Sequence, residues 1–382
     1  MATSSTGTIL SDRLVIDMSD RIAELEPNKS PLITLTKKMK KVEPADNPEF
    51  HWMEQDPGNR WTAIAKKAST GWVAADTELE VTNVEYFRIG DLVKVPSTGE
   101  VMLVSDITAA SNKITVARAW GSTSAPAKMG DTANVPIVII GNANAEGAKL
   151  REIMLNEPVK KTNYTQIIRT PVGVTNTLQA TKTHGPRAMN WYRHLDGINH
   201  AVDMERTMWF GEKGKDTVSG KPRRTTGGIL EFLTANVLDC SSVTLTEQSF
   251  SEWLGDVFRY GASEKILYAC SKLCTVIDMW AQAKIKTVPK EKTYGVAIKE
   301  YVSTHGTLFV VKHKLFEGAI YGSMGVILDM DNVKYRPLKG RDTKLLTNRQ
   351  DNDADEQKDE YLTEFGVEVR LPKTHAVIKN VS

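Results

Sequence analysis

The chain has 382 residues, 49 Lys and Arg against 47 Asp and Glu, a formal net charge of +2, 41% hydrophobic residues and 25% charged residues. That is the make-up of a packed protein of two or three domains and not of a disordered chain, and so near-neutral a balance argues against a protein that lives by gripping nucleic acid. Three cysteines cannot form a disulfide framework and fit a reducing cytoplasm, no apolar run approaches the roughly 20 residues of a spanning helix, and the Ser/Thr/Gly-rich start followed by Asp12, Asp17 and Asp20 is not a secretory signal.

In chain order, the spacing of Leu14, Val15, Met18, Ile22 and Leu25 predicts an amphipathic helix, stopped by Pro27 and Pro31. A short piece over residues 32–41 closes on Lys37, Lys38, Lys40 and Lys41. This cluster reads either as a solvated face or as an inward contact to nucleic acid or an acidic neighbour. The segment has no partner for its apolar residues within itself, so it reads as an arm that buries Leu14, Met18, Ile22 and Leu25 against a neighbouring subunit. Residues 50–54, bracketed by prolines, predict a short strand. Trp52, Trp61 and Trp72 stand in sequence with no periodic core, either as interface anchors or as a local cluster under a loop.

Over residues 81–140, apolar segments at 91–95, 101–106, 114–119 and 132–140 alternate with turn residues. Such spacing predicts a small sandwich or barrel. Its core is thin at about 60 residues, so it reads as an inserted module supported by the rest of the chain. A long helix is predicted from Pro186 or Arg187 to Gly211. Ala188, Trp191, Leu195, Ile198, Val202 and Trp209 form its apolar stripe. The expectation is that Trp191, Leu195, Ile198 and Val202 face strands at 361–381, and that Leu195→Ala costs about 2–5 kcal/mol. Residues 211–226 read as a Gly- and Lys/Arg-rich loop.

Beyond it, Thr246 and Ser271 are predicted helix caps. Residues 266–269 and 326–330 read as strands, 295–302 with 307–313 as a hairpin, 350–360 as an acidic loop, and 361–370 and 375–381 as closing strands.

Sites of chemistry are scarce. Gly214 to Lys221 has five residues between its glycines where a phosphate loop has four, follows a helix, and ends in Pro222. Gly322-Ser323-Met324-Gly325 lacks a residue required by a nucleophile elbow. Cys270 and Cys274 have no histidine near them in sequence and read as buried thiols. Asp196, His200 and Asp203 share a helix face, but Arg193 and Arg206 flank them, which favours an ion-paired surface over a metal or acid–base site. No catalytic, cofactor or metal site is expected, and the chain reads as a structural or binding protein.

The order of several motifs resembles tailed-bacteriophage major capsid proteins of the Hong Kong 97 fold, in the branch with a small β-barrel inserted in the extended loop. Leu25-Glu26-Pro27-Asn28-Lys29-Ser30-Pro31-Leu32 resembles the end of the arm. Gly90-Asp91-Leu92-Val93-Lys94-Val95, Gly99-Glu100-Val101-Met102-Leu103-Val104 and Ile114-Thr115-Val116-Ala117-Arg118-Ala119 resemble the barrel. Asn163-Tyr164-Thr165-Gln166-Ile167 is similar to the return strand, His200-Ala201-Val202-Asp203-Met204-Glu205-Arg206 to the spine helix, and Thr226-Gly227-Gly228-Ile229 to the start of the axial domain. The most specific run is Asp359-Glu360-Tyr361-Leu362-Thr363-Glu364-Phe365-Gly366-Val367-Glu368-Val369.

The resemblance implies an α+β fold with an N-terminal arm (1–43), an outgoing loop limb (44–80), the inserted barrel (81–140), a return limb (141–170), a peripheral domain with its spine helix (171–224), an axial domain (225–324) and the peripheral C-terminal strands (325–382). It implies hexamers and pentamers of an icosahedral shell around double-stranded DNA, held by weak non-specific contacts. Portal, scaffolding and decoration proteins are the implied further partners, the virion the location, and the host cytoplasm the place of assembly, with no membrane. Residues 44–166 are expected to protrude over a neighbouring subunit, with the barrel outermost. A cellular nanocompartment shell is the alternative reading.

Overall fold

The computed structural model describes residues 31–55, 59–67, 70–147, 149, 151, 157–182, 187–241, 244–281 and 298–381. The helix predicted over 14–25, with Leu14, Met18, Ile22 and Leu25, lies outside the described residues. The chain forms two compact units, Met1–Trp52 with Lys161–Ser382, and Met53–Lys160.

The first unit contains a six-stranded sheet in the order Val237–Asp239, Ala376–Lys379, Gly325–Leu328, Glu264–Ala269, Thr307–Lys312, Ile298–Val302. The first and fourth of these pairings are parallel and the others antiparallel. Glu264–Ala269 and Gly325–Leu328 are nearly continuous apolar runs, buried along almost their whole length, as strands covered on both faces must be. Phe250, Trp253, Leu254 and Val257 of the helix Glu247–Val257, and Leu273 and Ile277 of Ser271–Ala281, join this core. Thr246 caps the first of these helices as predicted, in a reciprocal box with Ser249. The final strand corrects the expected layout. Ala376–Lys379 sits between Val237–Asp239 and Gly325–Leu328 in this sheet and not beside residues 361–370, because the turn Pro372–Thr374 carries the chain across to it.

A second sheet is built on one 14-residue strand, Glu356–Val369. It pairs with Gln166–Thr175 over ten positions, and with Val333–Pro337 and Lys344–Leu346. The strand begins inside the expected acidic loop. Residues 211–226 are likewise not a plain loop: Gly214–Val218 and Lys221–Thr225 form a hairpin. Its turn places Ser219 and Gly220 at φ 50° and 75°, the left-handed pair that a tight hairpin requires.

The helix Ala188–Phe210 packs against Gln166–Thr175 and the long strand, but of the predicted stripe only Val202 and Trp209 are buried. Leu195 is 39% exposed, and Trp191 and Ile198 are only half-buried. The buried residues are Met189, His200, Val202, Met204, Glu205, Met208 and Trp209. The reason lies in the partner surface, which is polar here. His200 lies between Thr170 Oγ1 and Thr363 Oγ1 at 2.8 and 2.7 Å, and Arg193 pairs with Asp359 at 2.6 Å. Leu195→Ala therefore empties no cavity in the body. Gly197, costly in a mid-helix position, is explained by a close approach: a Cβ there would lie 3.2 Å from Tyr361 Oη, whose hydroxyl donates to Arg193 O at 3.0 Å. Gly197→Val should accordingly lower stability by about 1–3 kcal/mol, read as a fall in urea midpoint. A midpoint at or above wild type would show that this contact is slack.

The second unit has its own core, which includes Ile64, Trp72, Leu79, Phe87, Met102 and Ile137. Its six-stranded sheet runs Trp61–Ile64, Val135–Asn142, Asp91–Lys94, Val101–Thr108, Lys113–Ala117, Glu78–Glu80. The two end strands meet at an isolated bridge between Ile64 and Val81, flanked by Ala65 N to Glu80 O and Thr82 N to Ala63 O. The sheet is thus nearly closed. Strands 61–64 and 78–80, expected in the outgoing limb, supply both ends of it, so the core is larger than the thin module expected over 81–140.

Candidate assembly surface

Of the seven predicted contact residues, Trp52, Trp61 and Trp72 lie among the described residues, and their surroundings differ. Trp52 is buried against Phe50 and Phe232. Trp72 is buried in the second unit, where its indole N–H donates to Ala65 O at 2.7 Å and Lys67 lies over its ring. Both are clusters within the chain, which leaves little indole surface for a neighbour. Trp61 is different, at 49% exposed.

Register shows why Trp61 matters. It stands opposite Val138, Lys94 opposite Val138 and Val101, and Leu92 opposite Leu103. All of these point away from the core, and so does Ile140, 50% exposed. A sheet face turned to water normally alternates to polar residues. Here the outward positions are largely apolar, the pattern of a face that becomes covered.

The lysine cluster closes a helix that is docked, not free. Leu32, Ile33, Leu35 and Thr36 of Pro31–Lys38 are buried. Its first N–H groups, which a helix cannot satisfy internally, donate to the Glu205 carboxylate: Leu32 N at 2.8 Å and Ile33 N at 2.9 Å. Lys37 pairs with Asp342 and Lys41 with Asp331. Lys38 and Lys40 are exposed. At least two of the four lysines are thus answered within the chain, which weakens a purely electrostatic contact to nucleic acid.

Sequence reading missed the polar latches under these surfaces. The long strand carries Asp359, Glu360, Glu364 and Glu368, all buried. Arg193 meets Asp359, Arg169 meets Glu360, Arg341 meets Glu364 and Arg370 meets Glu368. The Arg169 guanidinium holds the Glu360 carboxyl below its ordinary range. In the second unit Arg118 grips Glu100 through Nε and Nη2 at 2.7 and 2.9 Å and reaches Val73 O and Asp76 O. The only signal for any of these was an acidic residue every fourth position, which also suits a solvated face. Asp196, His200 and Asp203 do not form a ligand set, since His200 is used by two threonines. Among the described residues no cluster of His, Cys, Asp or Glu is placed to hold a metal, and no helix is long and apolar enough to cross a membrane. Cys240 and Cys270 are buried and Cys274 partly so.

His375 makes the fold acid-sensitive. Its Nδ1 accepts from Asp329 N at 3.1 Å, which leaves Nε2 to donate to Arg370 O at 3.0 Å. Burial pushes its pKa down to about 4. The unfolded chain takes up this proton below about 6.5 and the folded chain only below about 4. Stability is therefore full above pH 6.5 and falls as pH drops, by roughly 3 kcal/mol in all. His200, its pKa lowered by burial, acts in the same direction. Urea midpoints between pH 7 and 4 should drop steeply in wild type and less in His375→Asn; equal slopes would sink the assignment.

The family model described as SU10 major capsid protein matches residues 2–382. The chain belongs to that family. The major capsid protein of Pseudomonas phage PaMx41 is 25% identical over 297 residues, 74% of this chain and 70% of that relative. Among solved structures, the capsid of a native GTA particle aligns over the whole of both chains at 9% identity with a TM-score of 0.54, and Mycobacterium phage Bobi does so at 8% and 0.48. This capsid protein is therefore a tailed-phage major capsid protein with the Hong Kong 97-type α+β fold.

Proposed function

We propose that this capsid protein assembles with copies of itself, as hexamers and pentamers, into the icosahedral head shell around a tailed phage's double-stranded DNA. Assembly takes place in the host cytoplasm. The observation that carries this reading is the family match along nearly the whole chain. The near-neutral net charge of +2 suits a shell that lines DNA without holding it tightly. Portal, scaffolding and decoration proteins are its further partners. Particles purified from a lytic infection should contain this chain and nuclease-protected double-stranded DNA. Particles filled with an enzyme cargo and free of DNA would favour the nanocompartment shell.

Residues 44–166 reach a neighbouring subunit in this reading, through the outward apolar face around Trp61 and Ile140. Trp61→Asp should keep the subunit folded, with stability within about 0.5 kcal/mol of wild type, while the yield of closed shells falls at least tenfold. Normal shells from this variant would remove Trp61 from the contact.

A further inference from the structure

The first unit carries two unanswered charge clusters of opposite sign. In the hairpin of Gly214–Val218 and Lys221–Thr225, Lys215 stands directly opposite Arg224. Like charges in such cross-strand positions destabilise a hairpin. Asp216 pairs with Arg223, and Lys213 donates to Thr162 O at 2.9 Å. Lys215, Lys221 and Arg224 form no ion pair among the described residues. The complement is the loop before the long strand. Residues 350–355 hold Asp351, Asp353 and Asp355 and no basic residue. Asp355 accepts from Asn176 Nδ2 at 2.6 Å. Asp351 and Asp353 are exposed and form no ion pair among the described residues.

The two clusters do not meet within one chain. Thr226 N, at the base of the hairpin, donates to Gln166 Oε1 at 3.2 Å, and Asn176 N donates to Asp355 O at 3.3 Å. Gln166 and Thr175 end a ladder of ten antiparallel pairs with the long strand. At about 3.4 Å per residue those ends stand about 30 Å apart. The pair Lys215–Arg224 is the second in register from the base of the hairpin, so it stays near the Gln166 end. At physiological salt the screening length is about 8 Å, so charges this far apart do not answer one another.

We propose that Asp351 and Asp353 of one copy dock on the Lys215–Arg224 face of a neighbouring copy. This deepens the shell reading and rests on it. The contact joins two different surfaces, as rings of five and six copies require. Hairpin against hairpin, or loop against loop, would repel, so the charges also set the direction of docking.

The test is charge reversal in the full-length chain, read by sedimentation and electron microscopy of the overexpressed protein. The double variant Lys215→Glu, Arg224→Glu should cut the yield of closed shells at least about tenfold, and so should Asp351→Lys, Asp353→Lys. A chain with all four changes should recover shells to within about twofold of wild type. None of the four side chains is buried, so urea midpoints should stay within error of wild type. Lys215→Glu alone sets an acid opposite Arg224; it should keep or raise the midpoint and still cut the yield. Normal shells from either reversed pair, or no recovery with all four changes, would overturn the contact. Wild-type protein that builds no shells would remove the shell reading, and this contact with it.

Discussion

Glu205→Ala should be the most damaging single substitution outside the apolar core, at a cost of about 3–5 kcal/mol. The carboxylate is fully buried and answers two donors, Leu32 N and Ile33 N, with His313 Nε2 2.9 Å from it. His313 Nδ1 accepts from Leu315 N, and Trp209 Nε1 donates to His313 Nε2 at 3.0 Å. Alanine strands both backbone N–H groups, and each buried unsatisfied donor costs about 1–3 kcal/mol. The helix Pro31–Lys38 should detach, and trypsin should then cut after Lys37 and Lys38 in otherwise native protein. Glu205→Gln keeps the shape and one acceptor and should lose less. Unchanged melting and unchanged cleavage in the alanine variant would show that the helix is held by its apolar residues alone.

Lys265→Met is expected to cost about 3 kcal/mol or more. Lys265 is 1% exposed, and its ammonium donates to Val257 O, Tyr260 O and Thr374 O at 2.7, 2.8 and 2.7 Å. These carbonyls end the helix Glu247–Val257, begin the turn after it, and belong to the turn that leads into the last strand. One side chain therefore ties three segments of the six-stranded sheet's surroundings together. Methionine fills a similar volume, so the loss isolates the hydrogen bonds: three buried carbonyls are left unanswered. Chemical denaturation reads this directly. A midpoint within error of wild type would mean that water replaces the ammonium.

How much of this was legible in the sequence depended on the range of the interaction. Short-range signals served well. Thr246 with Ser249, the apolar run 266–269, and the hairpin about residues 303–306 all stand where local chemistry placed them, because their partners are within a few positions. The side of the long helix that packs was not legible. Periodicity marks an apolar stripe but not which surface it meets, and the strand opposite offers Thr363, Asp359 and Tyr361 in place of a greasy face. Trp52 and Trp72 were ambiguous for a related reason: Phe232 lies 180 positions from Trp52, and nothing local announces the pairing. Nothing local marks Lys265 for burial, and Glu360 and Glu364 meet Arg169 and Arg341, which lie 191 and 23 positions away.

The central claim is that copies of this chain build a closed shell. Electron microscopy of the purified, overexpressed protein tests it most directly. The account predicts uniform closed icosahedral particles, whose reconstruction places the six-stranded sheets of neighbouring copies around five-fold and six-fold positions. A well-folded protein that stays monomeric or dimeric under all assembly conditions, with or without co-expressed phage head proteins, would contradict it.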